Sequence, residues 1–297
     1  MARLGDGGSG EGRPVESGGD DRATGRDRLG GSAAFRALGH GTVDALADHL
    51  EALRSGAVHV PVLPWVPPND AAKRWFLELR RRLDSLASSG RSATVDDALG
   101  LFRTVIAESH HLHHACYVGH QVTAPLPSAA VSALVSALLN NGSAVYEMGP
   151  VSIAMERAVL RYMADKVGFD PQACDGVLTS GGSAGNLTAL LAARQAMAGF
   201  DVWNEGAHRG PPLAVLVSDQ AHYSVERSLR ILGWGAEGVV KVESDERYRM
   251  RPDALESALA RARASGRRTI AVVGSACSTA TGAIDPLAYL AEFAERN

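Results

Sequence analysis

Lysine is the scarcest charged residue in this chain of 297 residues: only Lys73, Lys166 and Lys241 occur. Any chemistry that needs a lysine amine therefore has three candidates. Cysteine is as rare, and Cys116, Cys174 and Cys277 are odd in number and widely spaced, with no CxxC. That excludes a disulfide framework and a zinc knuckle. No apolar run approaches the roughly 20 residues that span a bilayer. The best candidate, Val131 to Leu139, is short and contains Ser132 and Ser136. Neither charge sign is in large excess, with 30 Lys and Arg against 33 Asp and Glu. A nucleic-acid binder working through a general basic surface is excluded on that ground. What is present is ordinary for a soluble globular protein: 45% apolar and 21% charged residues, in enough chain for one large domain or two small ones. The expected location is cytoplasmic.

Residues 1–31 hold ten of the 32 glycines and almost no apolar side chain. Such a segment cannot bury enough surface to offset the entropy of ordering it, and a disordered tail is expected. It has neither the apolar stretch of a secretory signal nor the acid-poor character of a transit peptide. From Ser32, a plausible N-cap, Phe35, Leu38, Val43, Leu46, Leu50 and Leu53 recur at mostly helical spacing. Pro61, Pro64, Pro67 and Pro68 then disfavour helix. A second helix capped by Asp70 and a third from about Val95 to Ala107 complete a helical arm over 32–125.

The remainder, 126–297, changes character. Short apolar strands are expected at Val177–Thr179, Leu213–Val217, Val239–Val242 and Thr269–Gly274. Helices follow from Ala184, Tyr223, Pro252 and Pro286. This alternation predicts an α/β fold with a mainly parallel sheet.

Thr179-Ser180-Gly181-Gly182-Ser183-Ala184-Gly185-Asn186 sits between a predicted strand and helix. The first amides of a helix lack internal partners and face the positive end of its dipole, so an anion is the natural ligand. Two readings stand: a phosphate cradle, or a tight turn that needs glycine. The segment is neither GxGxxG nor the GxxxxGK[ST] loop. Ligands of parallel sheets collect at the carboxyl ends of the strands. Ser218 to Ser224 lies there and carries His222, as a ligand contact or as a structural residue. His110, His111, His113, His114 and His120 cluster without an HExxH pattern. A polar loop at an active-site mouth is expected there, and no metal centre.

Four blocks together resemble the group II pyridoxal-phosphate-dependent amino-acid decarboxylases, the family of the aromatic amino-acid, glutamate and diaminobutyrate decarboxylases. They are Tyr146 to Pro150 with Glu156; Thr179 to Asn186 continuing to Arg194; Ser218 to Arg227; and Gly282 to Pro286. They occur in family order over roughly 32–297. The resemblance implies a fold-type I large domain behind a helical arm, pyridoxal 5'-phosphate as cofactor, and loss of carbon dioxide from an L-amino acid to leave an amine. It implies that Gly182 and Ser183 hold the cofactor phosphate, that His222 stacks on its ring, and that Ser278 and Thr279 lie near the ring. Tyr117, His120 and Gln121 would line the substrate side, although Ala115 and Cys116 replace the Pro and basic residue expected there. A homodimer is implied for the complete protein. The substrate stays open, with a lean toward diaminobutyrate or aromatic amino acids from Val118-Gly119-His120-Gln121.

The family's Schiff-base lysine and ring-nitrogen aspartate fall beyond Asn297, and none of the three lysines follows a histidine. The expectation is an N-terminal portion that is inactive alone. Alternatives are another fold-type I enzyme, a lyase or aminotransferase, or a non-catalytic dimerisation partner.

Overall fold

The computed structural model describes residues 27–55 and 60–297, and the chain divides into two compact units, Met1–Leu126 and Pro127–Asn297. Of the tail expected over 1–31, residues 1–26 lie outside the described residues. Asp27–Gly30 form a single helical turn, α1.

In the first unit α2 (Ser32–Ser55), α3 (Pro68–Ser89) and α4 (Val95–Glu108) are the long helices. Asp70 does not cap α3. Pro67 holds the cap position and Pro68 opens the helix, where its missing amide costs nothing because that donor would be unpaired anyway. Asp70 falls in the first turn instead. Thr94 and Asp97 form a reciprocal capping box that starts α4. α2 and α4 pack closely at Gly41, where a built Cβ would lie 2.8 Å from Leu99 Cδ1. Leu53 and Leu99 are buried.

His111 follows α4 and is also buried. Its amide donates to Val62 O at 2.9 Å. Its ring nitrogens lie 2.8 Å from Pro61 O and 3.2 Å from Ile106 O. One member of the histidine cluster is therefore a structural pin between the proline-rich segment and the end of α4. His49 meets it edge-on, with ring centroids 4.9 Å apart. Burial, then the charges of His111 and His113, lower the His49 pKa.

The second unit begins with α5 (Pro127–Leu139), a 3-10 turn at Tyr146–Met148, and α6 (Pro150–Lys166). Then come α7 (Gly182–Met197), α8 (Val202–Glu205), β1 (Leu213–Ser218), α9 (Tyr223–Ile231) and β2 (Val239–Val242). Last are α10 (Pro252–Ala264), β3 (Arg268–Val273) and α11 (Leu287–Arg296). The sheet is parallel with order β2-β1-β3.

β1 is buried along its whole length, because helices cover both faces. Leu213, Val215 and Val217 pack with Leu190 of α7 and with Val225 and Leu229 of α9. Leu216 points the other way, into Leu255 and Leu259 of α10 and Leu290 and Phe293 of α11. This alternation is the period-two geometry of a strand inside a three-layer sandwich.

The strand expected at Val177–Thr179 does not form. A strand exists only through a ladder partner. Here the Leu178 amide donates instead to Glu156 Oε1 at 2.8 Å, and Val177 and Leu178 are more than half exposed.

Candidate active site

All three strands run the same way, so Ser218, Val242 and Val273 end on one edge of the sheet. Asp219 joins two of these ends: its amide donates to Val242 O at 3.0 Å, and its Oδ2 accepts from the Ser244 amide at 3.3 Å. The loop that follows leads to His222, the N-cap of α9. There a ring nitrogen does the work that a Ser or Asp oxygen usually does, accepting the Ser224 amide at 3.3 Å.

α7 packs beside α9. Asn186, in its second turn, donates Nδ2–H to Ser224 Oγ at 2.8 Å. Ser224 Oγ in turn lies 2.8 Å from His222 Nδ1. Ser224 is 1% exposed, whereas His222 is half-buried. This linkage brings the first turn of α7, with Gly182 and Ser183, and His222 into one locality.

The first intrahelical bond here runs from the Gly185 amide to Gly181 O at 3.1 Å, so the amides of Gly182, Ser183 and Ala184 precede the ladder. No acidic side chain occupies that turn. The glycines answer no demand of the backbone. Gly181 has φ 164°, extended and open to any residue. A Cβ on Gly181 or Gly182 would meet nothing within 4 Å, and on Gly185 it would make only ordinary contact, 3.4 Å from Thr179 Oγ1. Of the two readings of this turn, the one requiring glycine for tightness finds no support. Bare glycine leaves the amides open to an approaching anion. Chemically, the locality combines a row of open amides with a flat imidazole whose edge is pinned.

Ser278 and Thr279 stand on the loop after β3. Ser278 is buried, and its Oγ lies 2.6 Å from Thr281 Oγ1. Its amide donates to Ala283 O at 2.8 Å, so its polar groups close their own turn. Thr279 is exposed at the tip. Tyr117, His120 and Gln121 belong to the first unit, on the loop after α4, where the Tyr117 hydroxyl donates to His120 O at 2.8 Å. His120 and Gln121 are exposed. Among the described residues no group of three or more His, Cys, Asp or Glu could hold a metal ion. No described helix is long and apolar enough to cross a membrane. A cavity of about 530 Å³ between α6 and the following loop, lined by Arg157, Arg161 and Phe169 among others, includes none of the expected site residues.

Lys166 pairs with Asp165 at 3.0 Å, Lys241 pairs with Glu226 of α9 at 3.1 Å, and Lys73 is exposed on α3. Asn186 and Ser224 in this locality, and Asp285 on the loop after β3, carry no role expected from the sequence. The available signal was their presence inside the four family-like blocks.

A family model described as "Pyridoxal-dependent decarboxylase conserved domain" matches residues 81–297. Human cysteine sulfinic acid decarboxylase is 32% identical over 248 residues, which cover 83% of this chain and 48% of that protein. The crystal structure of mouse CSAD in apo form superposes with a TM-score of 0.77 at 30% identity, covering 89% of this chain and 53% of that one. The crystal structure of Oryza sativa TDC with PLP and tryptamine shares the fold, with a TM-score of 0.71 at 22% identity over 89% of this chain and 53% of that one. The chain spans about half the length of the curated relatives it matches.

Proposed function

Because the chain belongs to the pyridoxal-dependent decarboxylase family, with the fold-type I architecture of its solved relatives, we propose that it carries the phosphate and ring subsites of an enzyme that decarboxylates an L-amino acid. The family's cofactor is pyridoxal phosphate, and when bound it supplies the electron sink for the pair left as the Cα–carboxylate bond breaks.

The residues present fit that group. A phosphate dianion suits the amides of Gly182, Ser183 and Ala184 at the start of a 16-residue helix with no acid in its first turn. The Ser183 hydroxyl adds a donor. His222 offers a flat face beside them, its ring plane set by Ser224. Ser278 and Thr279 would close the site from the β3 loop. Ser278 acts by holding the turn on which Thr279 stands. Tyr117, His120 and Gln121 would orient the substrate.

The observation that carries this reading is the open amide row of α7, tied through Asn186 and Ser224 to His222. Among the described residues, Lys166 pairs with Asp165 and Lys241 with Glu226, and neither lysine follows a histidine as the family's Schiff-base lysine does. The chain alone is therefore proposed to bind the cofactor reversibly and not to decarboxylate. The whole protein is proposed to be a cytoplasmic homodimer, and the apolar exposed surface of α5 favours self-association.

Titration of the purified chain with pyridoxal phosphate, followed by absorbance, tests this. Saturable binding that weakens at least about tenfold, or 1.4 kcal/mol, in folded His222→Ala is expected. Borohydride reduction and peptide mapping should leave Lys73, Lys166 and Lys241 unlabelled. Unchanged binding by His222→Ala would remove the ring assignment, and a labelled lysine would remove the claim of purely reversible binding.

A further inference from the structure

We infer that Asn186 and Ser224 are positioning residues that hold His222 as the Nε2–H tautomer, so that the ring presents a hydrogen-bond donor at its outer edge. One donor beside His222 has no choice of role. The Ser224 backbone amide points at His222 Nδ1 from 3.3 Å. A proton on Nδ1 would face that amide proton, so Nδ1 must offer its lone pair. The Ser224 hydroxyl, 2.8 Å from the same nitrogen, then has one consistent role, which is to donate to it.

Asn186 supports this direction. Its Nδ2 donates to Ser224 Oγ at 2.8 Å, filling an acceptor site on the hydroxyl and leaving the hydroxyl proton for histidine. Hydrogen bonds therefore run one way, from α7 through Ser224 into the imidazole. Ser224 is 1% exposed, so water does not compete for its hydroxyl. The imidazole proton is left on Nε2.

Two consequences follow. Rotation of the ring about its Cβ–Cγ bond breaks both bonds to Nδ1, so the plane offered to a stacked ring is fixed. The free edge also has a defined polarity: Nε2–H can give a hydrogen bond to an anionic or carbonyl oxygen and cannot accept one. The tautomer follows from the hydrogen bonds alone, and its use in holding a cofactor ring rests on the function proposed above.

Long-range ¹H–¹⁵N spectra of the full chain, with His222 assigned by its absence in His222→Gln, read the tautomer directly and need no cofactor. The expected pattern is an unprotonated-type Nδ1 and a protonated-type Nε2. Ser224→Ala should shift the ring toward a mixture. Asn186→Asp should move it the same way, because a carboxylate takes the hydroxyl proton and turns Ser224 Oγ toward accepting from Nδ1–H. A protonated Nδ1 in the unaltered chain overturns the inference. So does an unaltered His222 pattern in both variants. A chain that showed the expected tautomer yet bound no pyridoxal phosphate would count against the proposed function and in favour of this inference.

Discussion

Ser275 and Asp285 hold each other through two hydrogen bonds: the Ser275 amide donates to Asp285 Oδ2 at 2.7 Å, and the Asp285 amide donates to Ser275 O at 2.9 Å. The other carboxylate oxygen, Oδ1, accepts the Met250 amide at 2.7 Å. One buried side chain thereby joins the loop after β3 to the segment leading into α10, and closes the turn that carries Ser278 and Thr279. Asp285→Ala would leave the Met250 and Ser275 amides without their acceptor, at about 1–3 kcal/mol for each buried group left unpaired. The expected result is a urea midpoint lower by an amount worth about 2–4 kcal/mol, the sum discounted for local relaxation. Asp285→Asn keeps one acceptor and should recover part of the loss. An unchanged midpoint in Asp285→Ala would deny the side chain this bridging role.

Asp245 makes a pH-dependent contribution to the neighbouring turn. The Arg249 guanidinium, 2.7 Å away, and then the Arg249 amide hold its pKa at about 2, with help from the Arg247 amide. An unfolded aspartate titrates near 3.9. The folded value lies below the unfolded one, so the contribution is present in full above about pH 4 and is lost as pH falls toward about 2. Asp245→Asn should therefore unfold at lower urea than the parent chain at pH 6, with the gap closing as the pH drops through that window. A gap that stays constant with pH would contradict the assignment.

The legible parts of this fold were those written in local pattern. The limits Val239–Val242 and Pro252–Ala264 coincide with an apolar run and with a proline-led helical period. The Gly-rich turn and His222 were visible through the strand-to-helix junctions that carry them. What could not be read depends on partners far along the chain. Val177–Thr179 has strand composition, but its amide at Leu178 is claimed by Glu156, 22 residues earlier. Asn186 and Ser224 are 38 residues apart, and only the packing of α7 on α9 makes them neighbours. His111 looked like one of several loop histidines until Pro61 O and Ile106 O closed on its two nitrogens.

α5 contains no charged residue, and its Val131, Leu134, Val135 and Leu138 are exposed by 45–64%. The spacing i, i+3, i+4, i+7 places these four on one stripe. An exposed apolar stripe of this kind marks a contact surface. Sedimentation of the purified chain should show self-association, and Leu134→Glu together with Leu138→Glu should shift it to the monomer without lowering the unfolding midpoint. If the parent chain sediments as a monomer at all concentrations, the proposed homodimer does not form through this helix.

Ser183→Asp separates the two roles of the α7 N-terminus, because its effects on stability and on binding have opposite signs. An acidic side chain in the first turn interacts favourably with the helix dipole, by about 0.3–1 kcal/mol. That turn has no acid now, and Ser183 is exposed, so the new carboxylate needs no rearrangement of the core. The unfolding midpoint should hold or rise slightly. The same carboxylate stands where the phosphate of the cofactor is proposed to sit, and two anions cannot share one set of amides. Binding of pyridoxal phosphate should fall by at least about tenfold, or 1.4 kcal/mol, and inorganic phosphate should lose its power to compete. A variant that is as stable as its parent and binds the cofactor equally well would move the phosphate away from Gly182 and Ser183.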